Sequence, residues 1–262
     1  MACLRLPPPP TVIYLCIPTH NEARTIGVLL WKVRQVLGEF GRDYRLLVLD
    51  DASTDGTGDV LDRYRRKLPL TILRSEERLG YAASVERLLR KAVELAPYPK
   101  RDSAVVLQAD FTENPEDVVS LVKTLEGGAD IVAGTLPDDV EAPKPVLWGR
   151  KLARYALGRT LREAPVSDPL SGLRIYRVIV LKKALRELAE GQPLLEKDGW
   201  AANLELLGRL ARHARRIEES PMQLRYQLQT RPSRFRAWPT LKSLFFLRGA
   251  GASWWKAGAE SA

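Results

Sequence analysis

The chain has 262 residues, 45% of them hydrophobic and 28% charged, with a formal net charge of +9; this is the balance of a globular protein with room for one large core. No run reaches the roughly 18 apolar residues that a membrane-spanning helix needs, and Arg5 with Pro7–Pro10 offers no apolar centre of signal-peptide type. Cys3 and Cys16 lack metal-ligand or CxxC spacing, and with only two histidines a zinc enzyme is disfavoured.

Residues 1–10 read as a proline-rich tail. From there strand-like and helical patterns alternate. Apolar, β-branched runs occupy Thr11–Ile17, Arg45–Leu49, Leu70–Leu73, Ala104–Ala109 and Asp130–Ala133. Between them, apolar residues fall three or four apart. The first such set is Ile26, Leu29, Leu30, Val33, Val36 and Leu37; the second is Val60, Leu61, Tyr64 and Leu68. The third is Val85, Leu88, Leu89, Ala92 and Val93, and the fourth is Val118, Val119, Val122 and Leu125. Asn114 is the expected N-cap of the fourth helix, with Pro115 at its first position. Strand–helix alternation with short connections predicts an α/β fold with a mainly parallel sheet covered on both faces.

Three prolines between Pro137 and Pro145 break the alternation and mark a loop. Beyond it come a basic helical stretch, about Trp148 to Leu161, the Ser167–Gly172 turn and an apolar run from Leu173 to Leu181. Leu204, Leu207, Leu210 and Ala211 then share a helical face, and Arg216–Gln227 suits a late strand. From residue 236 the tail places Trp238, Leu241, Leu244 and Phe245 at helical spacing among basic residues, which suits either an interfacial helix or one packed on the protein's own core.

Charge is unevenly divided. Residues 1–141 hold 18 Lys+Arg against 22 Asp+Glu, or −4, whereas residues 142–262 hold 23 against 10, or +13. Carboxylates in the first part suit a cation and a nucleotide diphosphate; cations in the second suit an anionic acceptor or an anionic membrane surface. No recognisable nucleic-acid module accompanies the basic residues, so nucleic acid is not an expected partner.

The chemistry concentrates where strands end. Pro18-Thr19-His20-Asn21-Glu22 follows the first strand and Asp50-Asp51-Ala52-Ser53-Thr54-Asp55-Gly56-Thr57 the second. Carboxyl ends of neighbouring parallel strands are where open α/β sheets bind ligands. These residue types also favour turns and helix caps, so either segment alone would be ambiguous. Together, at this interval, they resemble the nucleotide-sugar signature of the family-2 glycosyltransferases, which have the GT-A fold. The resemblance extends over roughly residues 11–235 and points to the polyprenyl-phosphate sugar synthases through Trp148-Gly149-Arg150-Lys151, Ser167–Arg174, Gly199-Trp200 and Glu205. It implies one GT-A domain over 11–235, with a nucleotide-sugar half (11–135) and an acceptor half (136–235), followed by the 236–262 tail.

The resemblance implies that Pro18, Thr19, Asn21, Glu22, Asp51, Ser53 and Asp55, with Gly80, Gln108 and Asp110, contact the donor nucleotide. Asp51, as a strand-end carboxylate, is expected to be replaceable without harm to the fold. In the family two aspartates one residue apart hold Mg²⁺ or Mn²⁺ against the diphosphate. Here Gln108 stands in place of the first, leaving Asp110 as the main ligand and Gln108 as a weak one. Leu136 likewise stands where the family has an arginine. Arg150, Lys151, Ser171, Gly172, Arg174 and Glu205 are the implied acceptor contacts. Arg150 and Asp168 are the catalytic candidates: a phosphate acceptor needs cations, whereas an alcohol acceptor needs a carboxylate base.

The expected activity is inverting transfer of a hexose from a nucleotide diphosphate sugar to a polyprenyl phosphate by a cytoplasmic, peripherally membrane-associated enzyme. Transfer to a hydroxyl acceptor, or nucleotide-sugar binding without turnover, remain open readings of the same residues.

Overall fold

The computed structural model describes residues 11–136, 157–158, 164–223 and 247. Seven strands form one sheet: β1 (Val12–Thr19), β2 (Asp43–Asp51), β3 (Leu70–Ser75), β4 (Ser103–Val106), β5 (Ile131–Thr135), β6 (Arg174–Arg177) and β7 (Ile217–Pro221). The helices are α1 (Ile26–Phe40), α2 (Thr57–Arg65), α3 (Tyr81–Leu95), α4 (Asp117–Glu126), α5 (Val178–Arg186) and α6 (Trp200–Ala211). Across the sheet the order is β3-β2-β1-β4-β6-β5-β7. All neighbours are parallel except β6, which runs antiparallel to both β4 and β5.

The period of two along each strand divides the core in two. Ile13, Leu15 and Ile17 of β1, Leu46 and Val48 of β2, and Val105 of β4 face the buried sides of α1, α2 and α4. Their alternates Tyr14, Cys16, Leu47, Leu49, Ala104 and Val106 face α3, α5 and α6. Each fully buried leucine or isoleucine of these layers contributes about 1.5–3 kcal/mol. Asp102 is buried where β4 begins and accepts hydrogen bonds from Val12 N (3.0 Å) and Tyr98 N (2.9 Å), fixing the edge of β1 against it.

Three expectations shift. The β4 ladder ends at Val106 rather than Ala109, because residues 107–113 turn away to build the site described below. The apolar run Leu173–Leu181 divides into β6 and the start of α5; with both elements buried, hydropathy shows no change of period at their junction. Asn114 Oδ1 accepts Glu116 N at 3.2 Å within the turn that precedes the helix, but the N-cap of α4 is Glu116 rather than Asn114, and no side chain among the described residues caps it. The expected helix at 148–161 lies outside the described residues except for 157 and 158, as does the tail apart from Leu247. The strand expected over Arg216–Gln227 is present at Ile217–Pro221, and its end, from 224, is likewise outside them.

Candidate functional site

Parallel pairing sets the two strand-end segments side by side, with Thr19 opposite Asp50. Beyond the ladder they close into one hydrogen-bonded unit. Asn21 N donates to Ser53 Oγ (2.9 Å), and Asn21 Oδ1 accepts Thr54 N (2.8 Å). Glu22 N donates to Thr57 Oγ1 (2.8 Å), and Ala23 N to Asp55 Oδ2 (3.1 Å). His20 Nδ1 lies 2.6 Å from Asp51 O, a local tie. Asp55 Oδ1 also takes Thr57 N, opening α2. Burial opposes ionisation of Asp55, but hydrogen bonds from Thr57 and Ala23 outweigh it and hold its pKa below the usual value.

Non-glycine residues with positive φ are only three among the described residues: Asn21 (53°), Ala52 (51°) and Phe111 (66°). Each lies just beyond the carboxyl end of a parallel strand, β1, β2 or β4. Such backbone costs about 1 kcal/mol or more for residues other than glycine and clusters where function constrains the chain.

Asp51 ends β2 as expected, but its carboxylate is turned to the protein. It is 3% exposed, and its oxygens accept Leu79 N (2.6 Å) and Gly80 N (3.1 Å), with Arg78 Nε at 3.5 Å. It therefore holds the loop that leads into α3. Gly80 has φ 89°, and a Cβ there would come within 3.1 Å of Asp198 Oδ2, whose partner oxygen accepts Ala82 N (2.8 Å). The expectation that Asp51 is dispensable to the fold is thus corrected. Asp51→Ala strands two N–H groups and should lower unfolding free energy by about 3 kcal/mol, measured by urea denaturation.

After β4, Gln108 and Asp110 are both partly exposed. Asp110 Oδ1 accepts Thr112 N (3.1 Å) and Thr112 Oγ1. Glu113, 2% exposed, returns beneath them and accepts Gln108 N at 2.8 Å and Gln108 Nε2 at 3.4 Å. Burial pushes its pKa up to about 8; the Gln108 N–H opposes the rise and Asp110 adds to it. No cluster of three acidic, histidine or cysteine side chains able to hold a metal exists among the described residues. One carboxylate beside one neutral amide oxygen still fits Mg²⁺ or Mn²⁺ in the manner those ions accept, with phosphates and water completing the shell.

The antiparallel β6 carries the 168–173 turn to the same edge. A Cβ on Gly172 would lie 3.2 Å from Glu113 Oε1, 3.3 Å from Gln108 Nε2 and 3.4 Å from Asn203 Nδ2. Ser171 is buried, its Oγ 3.8 Å from Met222 Sδ. Asp168 is half-buried, and its Oδ1 accepts Leu170 N at 3.2 Å.

Two acceptor candidates are corrected. Arg174 has no exposed surface; its guanidinium donates to the carbonyls of Asn203 (2.5 Å) and Pro169 (2.6 Å), so it braces the turn from within. Glu205, 2% exposed, accepts Glu196 N and Lys197 N and pairs with Arg209 at 2.8 Å. Both are packed inside, where an acceptor cannot reach them. Arg150 and Lys151 lie outside the described residues.

Glu113, Asp198, Asn203 and Glu86 were not singled out by sequence. Asn203 accepts Tyr81 OH (2.9 Å) and donates to Leu170 O (3.1 Å); Glu86 accepts Leu194 N and Leu195 N. For Asn203 the signal available was a polar residue on an otherwise apolar helical face, beside Leu204 and Leu207; Glu113 and Asp198 lie outside the helices and carry no such mark.

A mainly parallel sheet with one antiparallel insertion, and polar segments at the ends of β1, β2 and β4, the first two joined by hydrogen bonds, is the architecture of a GT-A glycosyltransferase. The chain belongs to glycosyl transferase family 2, whose family model matches residues 14–185. It is 28% identical over 192 residues to a dolichol-phosphate mannosyltransferase of Pyrococcus furiosus, covering 70% of this chain but only 49% of that relative. The chain thus spans about half the length of that protein. It is also 28% identical over 212 residues to an undecaprenyl-phosphate mannosyltransferase of Micrococcus luteus, covering 79% of this chain and 80% of that one. Among solved structures, glucosyl-3-phosphoglycerate synthase of Mycobacterium tuberculosis, in complex with Mn²⁺, UDP and phosphoglyceric acid, superposes with TM-score 0.60 at 20% identity, covering 95% of this chain and 79% of that one. TarS 1–349 of S. aureus in complex with UDP gives 0.55 at 15% identity, covering 95% and 71%. At those identities the likeness is one of fold.

Proposed function

We propose that this glycosyltransferase moves a hexose from a nucleoside diphosphate sugar to a polyprenyl phosphate with inversion at the anomeric carbon. The observation that carries the donor half of this reading is the joined unit of residues 19–23 and 50–57, which brings Asn21, Ser53 and Asp55 together with the buried Glu22 at the same end of the sheet as Gln108 and Asp110. The acceptor rests on the relatives, two of which are named for dolichol phosphate and undecaprenyl phosphate.

A phosphate oxygen of the acceptor would attack the anomeric carbon as its bond to the donor's β-phosphate breaks, releasing nucleoside diphosphate. The acceptor is already ionised at neutral pH, so no side chain need remove a proton; Asp168 would act as an orienting group of the 168–172 turn. Asp110 and Gln108 would hold a divalent cation, which when bound offsets negative charge on the departing diphosphate. Arg150 and Lys151 are proposed to meet the acceptor phosphate. No helix among the described residues is long and apolar enough to cross a membrane; peripheral contact with an anionic membrane surface at its cytoplasmic face is part of the proposal, supported by the basic second half of the chain.

The test is a thermal-shift screen of nucleoside diphosphates and their sugars, with and without Mn²⁺. It is followed by transfer of the selected sugar to undecaprenyl phosphate in detergent. A bound ligand at 100 times its Kd raises stability by about 2.7 kcal/mol, enough to separate one base from the others. No stabilisation by any nucleotide would refute the reading. Gln108→Asp adds a carboxylate at the diphosphate, and a several-fold tighter Mn²⁺ affinity, read by titration calorimetry with nucleotide present, is the expected outcome.

A further inference from the structure

A glutamine in a cation site has an ambiguity that an aspartate lacks. Its side chain ends in an oxygen and an NH₂ group of equal reach, and only the oxygen can meet a cation. Left to rotate, the amide presents the wrong end in part of its conformers. Gln108 is not left to rotate.

Glu113 grips it at two points. One carboxyl oxygen accepts Gln108 N at 2.8 Å; the other lies 3.4 Å from Gln108 Nε2. The second contact is long, but it is made by Nε2, the end of the amide that can only donate. The NH₂ end is thereby turned to Glu113 and the oxygen end away from it. The hairpin that presents Asp110 is also what returns Glu113: Phe111 takes φ 66°, and Thr112 closes on Asp110 through N and Oγ1.

The acceptor side seals this grip. A Cβ at residue 172 would stand 3.2–3.4 Å from Glu113 Oε1, Gln108 Nε2 and Asn203 Nδ2, so a glycine lets the 168–172 turn close directly over the pair. Glu113 is left 2% exposed. Water has little access with which to replace the carboxyl as the partner of Gln108.

We propose that Glu113 is a positioning residue of the donor site, holding Gln108 so that its amide oxygen, together with Asp110, meets the cation on the donor diphosphate. This rests on the nucleotide-sugar reading above.

The full-length protein is titrated with Mn²⁺ alone and with Mn²⁺ plus UDP or GDP, free Mn²⁺ being read by electron paramagnetic resonance; nucleotide binding is measured separately in EDTA. Glu113→Ala is expected to weaken Mn²⁺ binding in the presence of nucleotide about tenfold, the scale on which groups that orient metal ligands act. Its nucleotide affinity in EDTA should stay at the wild-type value. Adding Gln108→Asp to Glu113→Ala should restore the Mn²⁺ affinity, because a carboxylate binds through either oxygen and needs no choice of end. A purely structural Glu113 would lose nucleotide binding in EDTA too and would not be rescued. Wild-type Mn²⁺ affinity in Glu113→Ala, or a loss that Gln108→Asp leaves in place, overturns the proposal. If Glu113→Ala does not fold, Glu113→Gln keeps the shape with one acceptor oxygen fewer, and the same loss and rescue are required of it. A wild-type protein that takes neither nucleotide nor Mn²⁺ sinks the functional reading and this inference together. Nucleotide binding with no effect at Glu113 sinks this inference alone.

Discussion

Asp110→Asn should reduce kcat/KM for sugar transfer by roughly 10²–10³-fold, the range that follows removal of one group stabilising charge in a transition state. The effect is expected to be this large because the site holds no second carboxylate at the same strand end: Gln108 is neutral, and Glu113 lies buried beneath it. The fold should tolerate the change. Asp110 is partly exposed, and asparagine keeps an oxygen for Thr112 N. Steady-state rates at saturating Mn²⁺, together with an unchanged thermal unfolding midpoint in EDTA, make the check. Undiminished turnover in Asp110→Asn would remove the proposed cation from the mechanism.

Stability in EDTA should fall as pH rises from about 4.5 to about 8, and Glu113→Gln should remove most of that dependence. The sign follows from linkage. Folding raises the Glu113 pKa from its ordinary 4.5 to about 8. Between those values the folded protein keeps a proton that the unfolded chain has released. The contribution is therefore fully present below the unfolded value and lost as pH rises through the folded one. The slope is about 1.4 kcal/mol per pH unit, so several kcal/mol are at stake across the window. Asp55 acts elsewhere: its pKa is lowered, so its contribution is lost only as pH falls toward and below its unfolded value. His213, lowered mainly by burial, loses its contribution as pH falls below about its unfolded value, in the opposite sense to Glu113. For that reason the readout is the difference between wild type and Glu113→Gln at each pH, from urea denaturation at pH 5, 6.5 and 8.5. A difference that does not change with pH would show that Glu113 ionises normally.

The helices and the parallel strands were legible because their apolar residues keep one period over a long window. Every apolar residue read in α1, from Ile26 to Leu37, is buried. The polar strand-end segments were legible because their residue types are special and their interval is fixed by one strand–helix–strand passage. What stayed hidden has a common cause. Asp198 caps a helix 116 positions away and Glu86 holds a segment 108 away, and no local pattern marks such pairings. Arg174 and Glu205 were read as acceptor contacts through the family resemblance, which carries no information on burial, and charged side chains are seldom fully buried. Here Arg174 donates to the Asn203 and Pro169 carbonyls, although its Nε has no hydrogen-bond partner among the described residues. Glu205 accepts Glu196 N and Lys197 N and pairs with Arg209; such partners make a buried charge tolerable. The position of Asp51 at the end of β2 was legible, but its structural role was not, since its partners Leu79 and Gly80 belong to a loop whose path the sequence does not reveal.

The order of the sheet bears on how the protein is made. β5 is synthesised at residues 131–135, yet its neighbours on either side are β6 at 174–177 and β7 at 217–221. A nascent chain that has emerged only as far as β5 has β1 to β4 available to pair, but must hold Ile131, Val132 and Ala133 without a sheet to join. β4 meanwhile presents an open edge where β6 will later insert. Completion waits on some ninety further residues, at about 5–20 residues per second. During that interval of several seconds an apolar strand and an unpaired edge are exposed together, the combination most prone to association between chains. A segment ending near residue 136 should therefore be poorly soluble when produced alone, even though it carries the polar segments that follow β1, β2 and β4.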